Sequence, residues 1–158
     1  MPNYIQPDDP RILIFGSRLW IDRKRLNRKL DNLLSLMHRP VICHGNEDGA
    51  DKIAEEWAFS KRYNVMRFHA DWRRLGKEAG AKRNVQLVKY VADRRPAFAI
   101  CFGEDKYTPD LIRLCRKYKV KLRIIEEKKE KKIGTSSQAP PKYLELRRRA
   151  RERRSRPE

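Results

Sequence analysis

The sequence has 158 residues and a formal net charge of +18 at pH 7. This length suits one domain with a hydrophobic core and is too short for two, and the charge predicts an anionic partner such as a nucleic acid, a nucleotide or a membrane surface. Residues 126–158 carry +6 of this charge and residues 1–125 carry +12, so a basic tail alone does not account for it.

The cysteines and the hydropathy pattern predict a soluble, cytoplasmic protein. Cys43, Cys101 and Cys115 are far apart in apolar stretches, which is typical of reduced, buried thiols, and together with the histidines they show no zinc-binding spacing. The N-terminus MPNYIQPDDP lacks the apolar core of a signal peptide. No apolar run approaches the roughly 20 residues that span a bilayer. We therefore expect no metal site and no membrane partner.

Short apolar segments alternate with helical patterns along residues 11–125. The predicted strands are Ile12–Phe15, Val41–His44, Val65–Phe68, Ala97–Phe102 and Val120–Ile125. The predicted helices cover residues 23–37 (with Asp22 as N-cap), 50–62, 80–93 and 107–118, and residues 69–84 are predicted to be a long loop leading into the third helix. The alternation of short, largely apolar strands with helices predicts a single doubly wound, three-layer α/β/α domain over 11–125, with a mostly parallel sheet of about five strands.

The ends of the chain differ in composition from this domain. Residues 1–10 form an N-terminal extension. Residues 126–158 contain a charge run, a small-polar and proline-rich linker and an arginine-rich segment. We expect this basic linker and tail to be largely disordered in isolation and to become helical over about 142–154 on meeting an anion.

Three predicted strands end in a glycine, namely Gly16, Gly45 and Gly103. In open α/β sheets, ligands bind beyond the carboxyl ends of the strands. After the first strand, Gly16 would leave room for a ligand, Ser17 would donate to a phosphate oxygen and Arg18 would add a bidentate contact. Taken alone, the same tripeptide is better explained by a tight turn and a solvated arginine.

The second strand leads into HGNEDGAD, residues 44–51. Backbone amides at 49–51 are expected to point at a ligand, while Glu47, Asp48 or Asp51 would accept from ribose hydroxyls or a base amine. Capping of the following helix explains Asp48 and Asp51 equally well. His44 is predicted to be a hydrogen-bonded residue at the strand end and not a catalytic base.

The long loop supplies a further group of candidates. Trp72, after Asp71, either stacks on a base or plugs the edge of the sheet, and we favour the structural role. Lys82, Arg83 and Asn84 place two charges and an amide at a helix start, and for Arg83 and Asn84 we favour ligand contact.

In order, the motifs GSR, HG, GAD, ADW and AGxxRN resemble the SLOG superfamily of Rossmann-like domains, and within it the phage and bacterial YspA, cpYpsA-related family. The resemblance covers about residues 11–125. It implies binding of a nucleotide or nucleotide-derived ligand, with contacts at Gly16, Ser17, Arg18, Gly45, Gly49, Asp51, Arg83 and Asn84. Relatives in the superfamily include cytokinin-activating phosphoribohydrolases and a protein that loads single-stranded DNA during DNA uptake.

Departures from the family pattern lead us to keep three functions open. Ala81 stands where the family usually has proline, and Gly103 to Thr108 replaces a Gly-Gly-x-Gly-Thr phosphate loop, with Thr108 in the threonine position. The catalytic glutamate of the phosphoribohydrolases is absent at Asp110–Leu111, so no complete catalytic motif is present. The hypotheses are a nucleotide-ligand sensor or sequestering module, a nucleic-acid-binding protein that uses its basic surface and tail, and an N-glycosidase that uses Asp51 or Asp71.

Overall fold

The computed structural model describes residues 4–127, and these fold into the strand and helix alternation that the sequence predicts. The strands are β1 (Arg11–Gly16), β2 (Val41–His44), β3 (Asn64–Arg67), β4 (Phe98–Phe102) and β5 (Lys121–Ile125). The helices are α1 (Arg23–Leu34), α2 (Ala50–Ser60), α3 (Trp72–Leu75), α4 (Ala79–Ala92) and α5 (Thr108–Lys117), with a 3₁₀ turn over Gly76–Glu78. The predicted disorder of the tail, and its helix over 142–154, lie outside the described residues.

All five strands belong to one parallel sheet in the order β3-β2-β1-β4-β5. The central strand β1 pairs on both sides, with Leu13 opposite Cys43 of β2 and Ala99 of β4. The predicted parallel sheet is therefore confirmed. The chain winds outward from β1 to β3, returns to the centre at β4 and winds outward again to β5, as in doubly wound folds.

Both faces of the sheet are covered, which explains why β1 is apolar without alternation. Ile12 and Ile14 pack against α1 and α2, whereas Leu13 and Phe15 pack against α4 and α5. All four are at most 2% exposed. A strand buried on both faces needs an apolar residue at every position, so this confirms the three-layer arrangement.

Two regions differ from the sequence prediction by three residues or more. Helix α1 ends at Leu34 and not at residue 37. Ser35 is the C-cap of this helix, and Arg39, with a φ of 53°, precedes Pro40 just before β2 begins. Residues 72–78 are helical and not a loop, because Asp71 accepts a hydrogen bond from the Arg74 amide and starts α3. A single helical turn is too short to produce a visible hydropathy period.

The topology opens a crevice between β1 and β4. From β1 the chain moves toward β2, and from β4 it moves toward β5 on the opposite side. The loops that leave these two neighbouring strands therefore diverge, and ligands in open α/β folds bind at such a switch point. Within the described range, none of the helices is both long and apolar enough to cross a lipid bilayer.

Candidate functional site

Loops from β1, β2 and β4 are joined by hydrogen bonds at the carboxyl edge of the sheet. The Ser17 amide donates to the Phe102 carbonyl at 2.9 Å, and the Ala50 amide donates to the Ser17 carbonyl at 3.2 Å. The Arg18 amide donates to Asp105 Oδ2 at 2.9 Å. The three segments that the sequence analysis singled out thus share one edge, as expected. The Ala50 amide, however, faces the first loop and not a ligand.

A cavity of about 430 Å³ opens at this edge. The predicted site residues that line it are Gly16, Arg18, Gly45, Asp51, Trp72, Arg83, Asn84 and Thr108. Those that do not line it are Ser17, Gly49, Asp71, Lys82 and Gly103. The cavity is therefore lined by residues at the ends of β1 and β2, in α3 and α4, and at the start of α5.

The strand-end glycines serve backbone packing, which corrects the expectation that Gly16 leaves room for a ligand. A Cβ at Gly16 would lie 2.2 Å from the Phe102 carbonyl oxygen, so β4 occupies that space. A Cβ at Gly45 would lie 3.0–3.2 Å from the Arg83 guanidinium. At Gly49, where φ is 75°, a Cβ would lie 2.4 Å from the Ser17 carbonyl oxygen. These glycines let the loops approach one another and bring Arg83 against the β2 loop.

Asp51 is buried, and its carboxyl group fixes the conformation of the loop after β2. Its Oδ2 accepts the Gly45 amide at 3.1 Å and the Glu47 amide at 3.2 Å, and the residue is only 3% exposed. Asp51 therefore caps this loop and makes no side-chain cap for α2, whose N-cap is Gly49. Burial raises the pKa of its carboxyl to about 7, against the opposing effects of the two amides and of Arg83.

We predict that Asp51→Asn changes the pH dependence of stability. The folded chain holds the Asp51 proton more tightly than the unfolded chain, so this residue lowers the free energy of unfolding as the pH rises from about 4 to about 7. An asparagine oxygen accepts the same two amides without ionising. The stability of Asp51→Asn relative to the natural chain should therefore rise by a few kcal/mol between pH 5 and pH 8, at about 1.4 kcal/mol per pKa unit.

Urea unfolding of both proteins at pH 5 and pH 8 measures this difference in stability. Titrating groups that the two proteins share contribute equally to both, so their contributions cancel in the difference. A difference that is the same at pH 5 and pH 8 would show that Asp51 is already ionised at the lower pH.

Arg83 and Asn84 form a buried polar pair on α4. The Arg83 guanidinium donates from Nη1 to the Gly45 carbonyl at 2.6 Å, from Nη2 to Glu47 Oε1 at 3.1 Å and from Nε to Asn84 Oδ1 at 2.9 Å. Asn84 Nδ2 donates in turn to Asp110 Oδ2 at 3.0 Å. Each residue is 7% exposed. The pair thus fixes the β2 loop and the start of α5 relative to α4, and both side chains line the cavity.

Arg18 reaches the same carboxylate from the opposite loop. Its Nη2 lies 3.2 Å from Glu47 Oε1, and its guanidinium carbon lies 3.7 Å from the centroid of the Tyr107 ring. Two arginines, one from the β1 loop and one from α4, therefore share a single carboxylate oxygen. Stacking on Tyr107 restricts where the Arg18 side chain points.

Asp105 organises the loop that replaces the glycine-rich phosphate loop of relatives. Its Oδ1 accepts the amides of Tyr107 (2.8 Å) and Thr108 (3.2 Å), while its Oδ2 accepts the Arg18 amide. The Thr108 hydroxyl donates to the Asp105 carbonyl and accepts from the Asp105 amide. Carboxylate and hydroxyl groups of the chain itself therefore occupy backbone donors that a glycine-rich loop would present to a phosphate.

Trp72 lines the cavity and is more than half exposed. Its side chain is 55% exposed, and a Cβ at Gly80 would lie 3.3 Å from its ring. Asp71 caps α3, and Lys82 pairs with Glu78 at 3.5 Å on the exposed side of α4. Of the two carboxylates considered for an N-glycosidase, Asp51 lines the cavity and Asp71 does not.

Sequence reasoning left several lining residues out of the predicted site. These are Phe15, Lys77, Gly80, Ala81, Lys106, Tyr107, Asp110 and Leu111. Glu47 also lines the cavity, and the sequence analysis considered it only as one of three alternative acids in its loop. Lys106 and Tyr107 follow β4 closely, so the strand-end rule applied to β4 would have found them. Lys77 lies in the 3₁₀ turn, away from any strand end, so no sequence pattern marks it as a site residue. Ala81 is the third residue of α4, where a helix amide has no intrahelical partner, so proline and alanine are both accommodated there.

His44 acts as a structural residue behind the β2 loop, as predicted. The Asn46 amide donates to its Nδ1 at 2.9 Å, so the ring proton lies on Nε2 and is donated to Glu55 Oε1 at 3.1 Å. Glu55 also pairs with Arg67. Burial lowers the pKa of His44, although Glu55 acts in the opposite direction. His44 is fully buried and does not line the cavity.

The cysteine prediction is confirmed, since Cys43, Cys101 and Cys115 are free and buried. Burial raises the pKa of each thiol to about 12, which keeps them protonated and unreactive. Over residues 4–127, no three His, Cys, Asp or Glu side chains are grouped as a metal ion would need.

Two comparisons with known proteins agree with the resemblance read from the motifs. A family model described as YspA, cpYpsA-related SLOG family matches residues 10–75, from the start of β1 to the end of α3. The chain is also 41% identical over 99 residues to the Gene 61 protein of Mycobacterium phage D29, with 57% of this chain and 77% of that protein covered. The matched range 10–75 contains the β1 and β2 loops, Asp71 and Trp72, and it stops before Arg83 and Asn84. The chain therefore belongs to the YspA, cpYpsA-related SLOG family.

Proposed function

We propose that the chain binds a nucleotide-derived small molecule in the cavity at the carboxyl ends of β1, β2 and β4, as a sensor or sequestering module. The observation that carries this proposal is the composition of the cavity wall, which combines the exposed ring of Trp72 with cations and carboxylates at the switch point of the sheet. A volume of about 430 Å³ is within the range of small-molecule sites.

The wall offers a partner for each part of a nucleotide. Trp72, which is 55% exposed, presents a ring face on which a base would stack. Tyr107 is 43% exposed, but the Arg18 guanidinium already stacks on its ring. The cations Arg18, Lys77, Arg83 and Lys106 suit phosphate oxygens. The carboxylates Asp51 and Asp110 suit ribose hydroxyls or a base amine. Family membership supports the same ligand class.

We predict that a panel of mononucleotides, dinucleotides and ADP-ribose derivatives contains a compound that raises the melting temperature at physiological salt. A ligand at 100 times its dissociation constant stabilises the folded state by about 2.7 kcal/mol. Trp72→Ala should weaken binding about tenfold or more, because base–aromatic stacking contributes about 1–3 kcal/mol.

Phe59→Ala is the matched control for Trp72→Ala. Phe59 is a similarly exposed aromatic residue, 52% against 55%, but it lies on α2 outside the cavity lining. Its replacement should leave the dissociation constant unchanged. If no member of the panel shifts the melting temperature, or if the two variants bind alike, the cavity is not the binding site.

Nucleic-acid binding is the second candidate, and the charge of +12 on residues 1–125 favours it. Contacts that are only electrostatic weaken steeply with salt, because they release counterions from the phosphate backbone. Titrating single-stranded DNA at low and at physiological salt separates the two functions. DNA affinity that persists at physiological salt and is unaffected by mononucleotides would favour the second candidate.

A further inference from the structure

Glu47 places a negative charge between two arginines that line the cavity. Its Oε1 lies 3.2 Å from Arg18 Nη2 and 3.1 Å from Arg83 Nη2. The side chains of Arg18, Arg83 and Glu47 are 21%, 7% and 27% exposed. The carboxylate is therefore the most exposed member of this trio, and it occupies the position where two guanidinium groups converge.

The backbone donors at this edge are already used by the chain itself. Asp105 accepts the amides of Arg18, Tyr107 and Thr108, and Asp51 accepts those of Gly45 and Glu47. An anionic ligand therefore finds no amide cradle formed by these groups. Recognition of such a ligand therefore depends on cationic side chains. Two of these, Arg18 and Arg83, converge on one point, which Glu47 occupies.

The arginines have supports that do not depend on Glu47. Arg83 is also bonded to the Gly45 carbonyl and to Asn84, and Arg18 also stacks on Tyr107. Movement of the Glu47 side chain would thus leave both guanidinium groups in place. The Glu47 backbone amide would stay on Asp51, so only rotation about the side-chain bonds of Glu47 is required.

We propose that Arg18 and Arg83 form a phosphoryl subsite and that Glu47 is its displaceable internal anion, which a phosphoryl group of the ligand replaces. This rests on the proposed function for the identity of the whole ligand, but the subsite itself is testable with inorganic anions. A phosphoryl group offers more acceptor oxygens and more charge than a carboxylate, so it bonds to both guanidinium groups at once. Glu47 excludes weaker anions and keeps the arginines paired while the site is empty.

Glu47→Gln tests the proposal by removing the charge while keeping the shape. We expect it to bind inorganic pyrophosphate about tenfold more tightly than the natural chain at matched ionic strength, measured by isothermal titration calorimetry. Arg18→Met added to Glu47→Gln should abolish that gain. Glu47→Ser, a shorter neutral side chain, should reproduce the gain if Glu47→Gln does not fold.

Asp48→Asn is the matched control, since Asp48 is an exposed acid in the same loop and its replacement changes the net charge equally. It should bind pyrophosphate as the natural chain does. An equal gain in Asp48→Asn, unchanged or weaker binding in Glu47→Gln, or no detectable pyrophosphate binding by the neutral variants would each overturn the proposal.

Nucleotide binding separates this proposal from the proposed function. If nucleotides bind the natural chain and Glu47→Gln equally well, the function stands and the displaceable anion is wrong. If Glu47→Gln gains pyrophosphate affinity while neither protein binds any nucleotide, the subsite stands and the proposed function is wrong.

Discussion

Gly49→Ala is expected to destabilise the fold by more than about 3 kcal/mol, which is in the range of severe single substitutions. Gly49 has a φ of 75°, and a Cβ there would lie 2.4 Å from the Ser17 carbonyl oxygen and 2.5 Å from that of Arg18. Both oxygens belong to the backbone, so the β1 and β2 loops must separate. The hydrogen bond from the Ala50 amide to the Ser17 carbonyl would be lost as they do so.

Gly76→Ala separates steric overlap from backbone strain. Gly76 also has a left-handed φ, 56°, but a Cβ there has no atom within 4 Å. Its replacement should lower the free energy of unfolding by only about 1–3 kcal/mol, the cost of a sparsely populated backbone conformation for a non-glycine residue. Urea unfolding followed by circular dichroism measures both variants. Similar losses at the two positions would show that the loops yield and that their close approach is not required.

Arg83→Met should cost about 3–5 kcal/mol of stability, the range for removing one partner of a buried ion pair. The substitution keeps the apolar length of the side chain but leaves the Gly45 carbonyl and Asn84 Oδ1 without their guanidinium donor. Glu47 would retain Arg18 alone. If the cavity binds a nucleotide, the same variant should also abolish the thermal shift, because a cation of the proposed phosphoryl subsite is gone.

Lys82→Met is the control, since Lys82 precedes Arg83 on α4 and its side chain is 54% exposed. We expect a change within about 0.5 kcal/mol, as for most surface substitutions. In addition, the combined loss in Glu47→Gln with Arg83→Met should be smaller than the sum of the separate losses, since the residues are in contact. Strict additivity would contradict the ion pair.

In the proposed site, the placement of charged groups substitutes side-chain cations for free backbone amides. Asp105 and Asp51 stabilise the loops by accepting amides, which leaves the side chains of Arg18 and Arg83 to face the cavity. Ligand specificity in such a site depends on a few side chains. Small changes at Glu47 or Tyr107 are therefore expected to alter it without changing the fold.

The sequence by itself determined the fold and the edge at which the cavity lies. Every strand boundary is within one residue of its prediction. For the inner strands β1, β2 and β4 the reason is burial on both faces, which requires an almost continuous apolar run. The edge strands β3 and β5 are partly exposed and include charged residues. The glycines after β1 and β2 and the Arg83–Asn84 pair lie at the expected edge of the sheet, since parallel strands end at a common edge. Their contact with a ligand stays a prediction.

Only the tertiary structure decided what those residues contact. Arg18 bonds to Asp105, 87 positions along the chain, and Arg83 bonds to Gly45, 38 positions away. Such pairings depend on how loops from different strands approach, and no local pattern encodes that approach. For the same reason, the sequence suggested that the missing side chain of Gly16 leaves space for a ligand. In the structure, the Phe102 carbonyl fills the space that a Gly16 side chain would take. Likewise the raised pKa of Asp51 comes from burial, which exists only once α2 and the β2 loop have packed together.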